Sequence, residues 1–276
     1  MKKTQNILLL ACLIFLLQGC ASTGRVDKLS THEDISSDKA ISDISTKNRF
    51  HTGKRLTYLI AWNGIPVGNI ITETRDIKKY RGRDVHVVKL VTESNKFLSK
   101  IYRVEDTYIS YVDAETITSR RYEADRKEGN YRKHVIVEYD FDKMQAEYTN
   151  LTDGSVKKCD ITENVQDPLS AMCYFMTLPV EIGKKVHITV NLNEKNYDLY
   201  ARVEAIDVVE LRHLGKFPAF KVRPYAQLKG QRVKKGRAWM YFSADKNRYP
   251  LYGVVRIPFG RVTATLRSIE DIRSDV

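Results

Sequence analysis

The sequence predicts an all-β fold: a large antiparallel sheet, curled or barrel-like, with one central helix at about residues 167–178. Three observations predict it. From Phe50 onward, short runs of alternating apolar and polar residues recur with brief connections between them, about a dozen in all. One stretch, Asn164 to Pro179, abandons that period for a helical one. The sixteen tyrosines suit strands that have one apolar and one wet side.

The chain opens on Lys2, Lys3 and an apolar run from Ile7 to Leu17, too short for a permanent membrane span. It ends in Leu17-Gln18-Gly19-Cys20, which resembles a bacterial lipobox. The expectation is a signal peptide over 1–19 and a lipidated Cys20 as the membrane anchor, palmitate among its acyl chains. Several chains on one residue hold stably, because each buried CH₂ is worth about 0.8 kcal/mol. Ala21 and Ser22 follow where an inner-membrane retention signal would carry an Asp, so outer-membrane anchoring facing the periplasm is expected. Residues 20–48 are rich in Ser, Thr, Asp and Lys and have too few large apolar residues to offset chain entropy. They are read as a flexible tether, and 49–272 as a single β-rich domain.

Within that domain Leu56-Tyr58-Ile60-Trp62 alternates cleanly, and Asn63-Gly64-Ile65-Pro66 reads as a hairpin connection before Asn69–Arg75. Further strand patterns are Asp84–Glu93, Tyr102–Tyr111, Arg120–Lys127, Tyr131–Tyr139, Gln145–Leu151 and Val156–Ile161. In Tyr102–Val112 neither face is purely polar, which predicts a partly sheltered second face. In the helix Asp167 stands as N-cap and Pro168 at the first helical position, where a missing N–H costs nothing. Leu169, Met172, Cys173 and Met176 make one apolar stripe, and Pro179 ends the element. Then come Lys185–Leu192, Asp198–Val208, Ala219–Leu228, Arg237–Phe242, Leu251–Ile257 and Arg261–Ile269.

Removing the signal takes Lys2 and Lys3 but no acid, lowering the formal charge from +12 to +10. Export argues against nucleic acid as the partner of so basic a chain, leaving the membrane, a lipid or an anionic envelope polymer. The densest basic stretch, Lys229 to Arg237, reads as a solvated loop guarding a strand edge, or alternatively as an anion-attracting patch. Cys159 and Cys173, thirteen residues between them, are candidates for a disulfide pinning helix to sheet, which would be worth about 3 kcal/mol. A buried free thiol at Cys173 is the alternative. The six histidines are scattered and none has metal-ligand spacing to a cysteine, so neither a metal nor another cofactor is expected. Nucleophile-elbow and P-loop patterns are absent. Asp106 and Asp167 are the carboxylates to check for acid–base work, but a strand-edge ion pair and a helix cap are their simpler roles. No catalytic residue is assigned, and the chain is read as a non-enzyme.

Several short motifs then add up. They are Leu56-Thr57-Tyr58 with Ala61 to Gly68; Tyr102-Arg103-Val104-Glu105-Asp106 with Tyr111-Val112-Asp113; and Arg126-Lys127-Glu128-Gly129 with Tyr131-Arg132. Asp167 to Ala171, Leu178-Pro179, Trp239, Tyr249-Pro250-Leu251 and Pro258-Phe259-Gly260 complete the set. In this order they resemble a bacterial exported family catalogued as domain of unknown function 3108. The resemblance implies a β-rich exported domain and no assigned activity. Three functions remain open. One is a lipid or other amphipathic ligand bound in a sheltered groove lined by Tyr58, Trp62, Phe97, Tyr102, Met172, Phe175 and Trp239. The second is a structural envelope lipoprotein with a packed core, and the third a glycan or lipid hydrolase.

Overall fold

The computed structural model describes residues 50–233 and 236–272. The expected signal peptide, the lipidated Cys20 and the tether lie outside the described residues. The strands before the helix are β1 (Lys54–Trp62), β2 (Ile65–Thr74), β3 (Lys78–Tyr80), β4 (Arg83–Ser94), β5 (Glu105–Asp113), β6 (Ser119–Glu128), β7 (Tyr131–Asp140), β8 (Gln145–Asn150) and β9 (Val156–Asp160). The helix α1 spans Pro168–Thr177. After it come β10 (Lys185–Leu192), β11 (Lys195–Leu211), β12 (Gly215–Leu228), β13 (Gln231–Arg232), β14 (Arg237–Ser243), β15 (Pro250–Ile257) and β16 (Gly260–Asp271).

All sixteen strands belong to one sheet, ordered β10-β11-β12-β14-β15-β16-β1-β2-β4-β5-β6-β7-β8-β9, with β3 paired to β4 and β13 to β12. Every ladder between these strands is antiparallel, as the short connections require. The chain starts in the middle of the sheet at β1 and steps outward, hairpin by hairpin, to the edge at β9. It ends by stepping back from the opposite edge, β10, to β16, which pairs with β1 from Lys54↔Asp271 to Trp62↔Val262. The segment joining β9 to β10 must therefore cross from edge to edge, and α1 is that crossing.

Local chemistry explains the elements. Asn63 (φ 49°) and Gly64 (φ 88°) both take positive φ between the β1 and β2 ladders, the conformation that Asn-Gly adopts most cheaply in a two-residue hairpin. In β5 the residues Asp106, Tyr108, Ser110 and Val112 are buried and those between them half-buried or exposed, so the second face is partly sheltered as the alternation implied. That strand starts at Glu105 rather than Tyr102. Residues Leu98–Lys100 form a short 3₁₀ turn, whose Leu98 N–H donates to Asn95 Oδ1 at 2.8 Å. The basic stretch at Lys229 begins as a turn followed by β13, where Arg232 lies over the Tyr225 ring at 4.8 Å.

The helix lies on the concave side of the curl. Leu169, Ala171, Cys173, Phe175 and Met176 are buried, and the Phe175 ring packs on Phe242 of β14 at 4.8 Å. One apolar cluster combines these side chains with the inner faces of β5 to β8, β10 to β12 and β14. A second, built from Leu56, Tyr58, Ile60, Ile70, Leu251 and Leu266 among others, fills the end formed by β1, β2, β15 and β16. Among the described residues no helix is long and apolar enough to cross a membrane.

Asp167 fixes the start of the crossing. Its Oδ1 accepts the N–H groups of Leu169 (2.7 Å) and Ser170 (2.9 Å), and Ser170 Oγ accepts the Asp167 N–H at 2.8 Å, a complete capping box. Its Oδ2 accepts the hydroxyls of Ser110 on β5 and Ser119 on β6, each at 2.5 Å. The residue is fully buried, and that burial lifts its carboxyl above the ordinary range despite four donors that favour the charged form. Asp167→Ala removes the cap and leaves two buried hydroxyls without their acceptor, and is expected to cost about 2–4 kcal/mol in urea unfolding. Because the folded pKa is raised, ionisation of Asp167 opposes folding at neutral pH, and that cost fades as pH falls through the folded pKa. Wild type is therefore expected to gain stability relative to Asp167→Asn as pH falls from neutral toward the unfolded carboxylate value of about 4; a constant difference would contradict the raised pKa.

Candidate functional site

Between the two apolar clusters the helix does not fill the curl. A cavity of about 140 Å³ remains there. Leu169, Met172, Cys173 and Met176 face it from α1, which is the full stripe read from the sequence. The sheet supplies Tyr58 and Ala264 from the central pair β1 and β16, Met240 from β14, and Ile70 and Leu90 from β2 and β4. The lining is mostly apolar and the space is partly open to solvent, which suits a small hydrophobic group.

Its few polar members are informative. His51 stands at one end, stacked on Tyr249 at 4.2 Å with Nε2 2.8 Å from the Asn247 carbonyl oxygen. Burial lowers its pKa, so the ring is neutral at pH 7. Lys54 also lines the space and is engaged by Asp271 at 2.8 Å. Tyr58 turns its hydroxyl away to the Pro250 carbonyl oxygen at 3.0 Å. Thr92, 2% exposed in β4, has a hydroxyl with no partner among the described residues. An unpaired buried hydroxyl costs about 1–3 kcal/mol.

The structure gathers only some of the residues expected in the groove. Tyr58 and Met172 line this cavity, while Phe175, on the next face of α1, lines a smaller void of about 20 Å³ with Met172. The other four stand elsewhere. Trp62 closes the β1 hairpin end, its indole N–H donating to the Phe259 carbonyl at 3.3 Å. Phe97 is 74% exposed beside the 3₁₀ turn. Tyr102 packs its ring where a Cβ on Gly129 would fall, 2.8 Å from that position. Trp239 alternates with buried Ala238 and Met240, so it lies on the outer face between Arg223 (5.8 Å) and Arg256 (5.4 Å), with its N–H on Glu204 at 3.1 Å.

The cysteines correct the staple reading: both are free thiols. Cys173 turns to the apolar cavity, where burial pushes its thiol up to about 12. Cys159 instead accepts a hydrogen bond from Asn191 Nδ2 at 3.4 Å, at the seam between the sheet edges. Asp106 is likewise not in a strand-edge ion pair. It is buried and accepts the Lys127 N–H at 2.8 Å and the Tyr108 hydroxyl at 3.1 Å. Asp167 is the cap described above.

Sequence reasoning selected aromatics by size and so missed Cys173, Met176, Thr92 and Ala264 as lining. The period of the helical stripe already contained the first two.

A family model described as a protein of unknown function, DUF3108, matches residues 57–267, which bears out the resemblance carried by the opening hairpin, the Asp167 helix and the closing strands. No curated protein matches the chain. Among solved structures, a β-barrel-like protein of the domain of unknown function DUF1849 from Brucella abortus is similar at a TM-score of 0.53 and 10% identity, over 79% of this chain and 96% of that one. It shares the fold. A protein from Parabacteroides distasonis, provisionally termed a lipoprotein, is similar at a TM-score of 0.36 and 7% identity, over 79% of this chain and 95% of that one. A Bacteroides fragilis protein with a YmcC-like fold gives 0.33 and 8%, over 79% and 96%.

Thr92→Val keeps the shape of the side chain and removes the orphaned hydroxyl. It is expected to raise the stability of ligand-free protein by about 1 kcal/mol, measured as a higher urea midpoint at unchanged slope.

Proposed function

The chain belongs to the DUF3108 family, and we propose that it is a non-enzymatic envelope lipoprotein whose curled sheet holds an amphipathic ligand. In this reading Cys20 anchors the chain to the outer membrane, residues 20–48 act as the tether, and the domain over 49–272 works in the periplasm. The apolar end of the ligand enters the cavity beside α1.

One observation carries the proposal: the partly open, mostly apolar cavity between two otherwise packed clusters, walled by the helix stripe and bordered by the unpartnered Thr92 hydroxyl. Such a combination favours a guest that is mostly hydrocarbon with one acceptor near β4. Buried hydroxyls ordinarily find partners, and apolar voids forfeit dispersion contacts until something fills them. At about 140 Å³ the space takes a short length of alkyl chain, about the room that accepts benzene in an engineered apolar cavity. The rest of the ligand would leave past His51 and Lys54. The same size favours a second reading, a scaffold with a packing void, because ligand pockets usually start at about 300 Å³.

The two readings part on a filling substitution. Ala264→Leu adds three carbons, as a branched group, to the side chain that borders the cavity from β16. If the cavity binds a guest, displacement of a fluorescent fatty acid from the full-length chain is expected to weaken about tenfold or more while the melting temperature is kept or raised. A wild-type chain that neither carries lipid in native mass spectrometry nor binds the fatty acid would leave the scaffold reading standing.

A further inference from the structure

A second cavity, of about 350 Å³, shares no lining residue with the first and falls within the size range of small-ligand sites. It lies at the seam where the sheet fails to close. The edges β9 and β10 meet there through side chains instead of a backbone ladder. The Tyr148 hydroxyl donates to Asn191 Oδ1 at 2.5 Å, Asn191 reaches Cys159, Asn196 Nδ2 donates to the Asp160 carbonyl at 2.8 Å, and Lys157 faces Glu194 at 3.5 Å.

The walls are the inner faces of β6, β7 and β8. Alternation puts Tyr122, Ala124 and Arg126 on one side of β6, and Tyr131, Lys133, Val135 and Val137 on the matching side of β7. Two features of this surface stand out. Arg126 and Lys133 stand directly opposite each other in the ladder, and like charges so placed are destabilising. Arg126 is compensated through Nε and Nη2 by Glu128, whereas Lys133 has no close ion pair among the described residues and interacts at longer range with Asp153. Tyr122 is 4% exposed, lines the cavity, and makes no hydrogen bond among the described residues. Its neighbours are satisfied: Tyr108 donates to Asp106 and Tyr148 to Asn191.

We propose that this seam cavity binds a phosphate ester, with the anion held by Lys133, Arg126 and the Tyr122 hydroxyl and its hydroxylated carrier set against the tyrosine rings, Asn150 and Asn191. Tyr122 and Arg126 come from β6 and Lys133 from the adjacent β7, all on the face that lines the cavity. A tetrahedral phosphate offers three acceptor oxygens on different sides, whereas a carboxylate offers two in one plane. Asp106 and Glu128 neighbour Arg126 without lining the cavity. Asp153 and Glu194 also line it; Asp153 is held by Ser155 and interacts with Lys133, which an incoming anion would draw away, and Glu194 pairs with Lys157. The cavity's volume exceeds a bare phosphate, which is why the carrier belongs to the proposal.

The test is a calorimetric titration of the full-length chain with glycerol 3-phosphate. Saturable binding is expected, weakened about tenfold by Lys133→Gln and about threefold to tenfold by Tyr122→Phe. Tyr122→Phe is the discriminating variant, since losing an unpartnered hydroxyl should leave the urea midpoint unchanged or higher. Competition by phosphatidylglycerol vesicles would identify a lipid headgroup as the source; binding that vesicles do not disturb would identify a soluble ester. No saturable binding up to about 10 mM, or wild-type affinity in both variants, overturns the proposal. Inorganic phosphate binding as tightly as the ester overturns the role of the carrier. Fatty-acid binding at the helix cavity involves other residues, so the two outcomes are separable.

Discussion

The structure depends on one constraint more than any other: a single chain segment has to pass from one edge of the sheet to the other. Since β1 and β16 pair at the centre, all sixteen strands are laid down as two fans that open outward and return. The only covalent route between their outer edges runs across the concave face. Asp167 holds the entrance to that route by bonding the first turn of α1 to Ser110 and Ser119 at once. A carboxylate suits this role because it accepts four hydrogen bonds and satisfies the donors of a helix N-terminus. Its burial has a cost, visible in the upward displacement of its own pKa. The exit is held too, by Arg248, whose Nη1 donates to the Leu178 carbonyl.

The two cavities follow from this crossing. A helix of ten residues is about 15 Å long, too small to fill a curl of fourteen consecutive ladder strands on every side. Its apolar stripe faces the centre of the sheet, so the space left over there is apolar. Just before the helix, Gln166 pairs with Val190 in parallel, its N–H donating to the Thr189 carbonyl at 2.9 Å, and this covers part of the β10 edge. That substitute pairing keeps β9 and β10 from closing directly on each other. The gap between them is lined by polar residues because side chains, not backbone ladders, must satisfy one another across it.

Much of this was legible in the sequence, and the misses have physical causes. Period-two runs located nearly every strand, and Asp-Pro with the 169–172–173–176 stripe placed the helix within a residue at each end. The strand beginning at Tyr102 was read too early because Asn95 imposes a turn: its Nδ2 donates to the Pro66 carbonyl at 2.7 Å and its Oδ1 caps Leu98. Alternation announces two faces but not which one is inside. Trp239 shows this, since its neighbours Ala238 and Met240 are small or flexible yet face the core, while the indole lies outside between arginines. The cysteines failed for a related reason. Their separation in sequence permitted a bridge, but the crossing sends Cys173 toward the sheet centre and leaves Cys159 at the seam.

The division between the cavities bears on which features of such a fold carry function. Packing alone would favour a longer helix or larger side chains at Ala264 and Gly253, which border the apolar void. At position 133 the ladder sets an ammonium directly opposite Arg126, a repulsion that an uncharged residue would avoid. Each site thus holds a group whose cost to the folded chain is identifiable, the Thr92 hydroxyl in one and the Lys133 ammonium opposite Arg126 in the other. Real sequences depart from local consistency mainly where a task outside folding demands it. The departures here fall in two places that share no lining residue, one apolar and set against the capped helix, the other cationic and set at the seam.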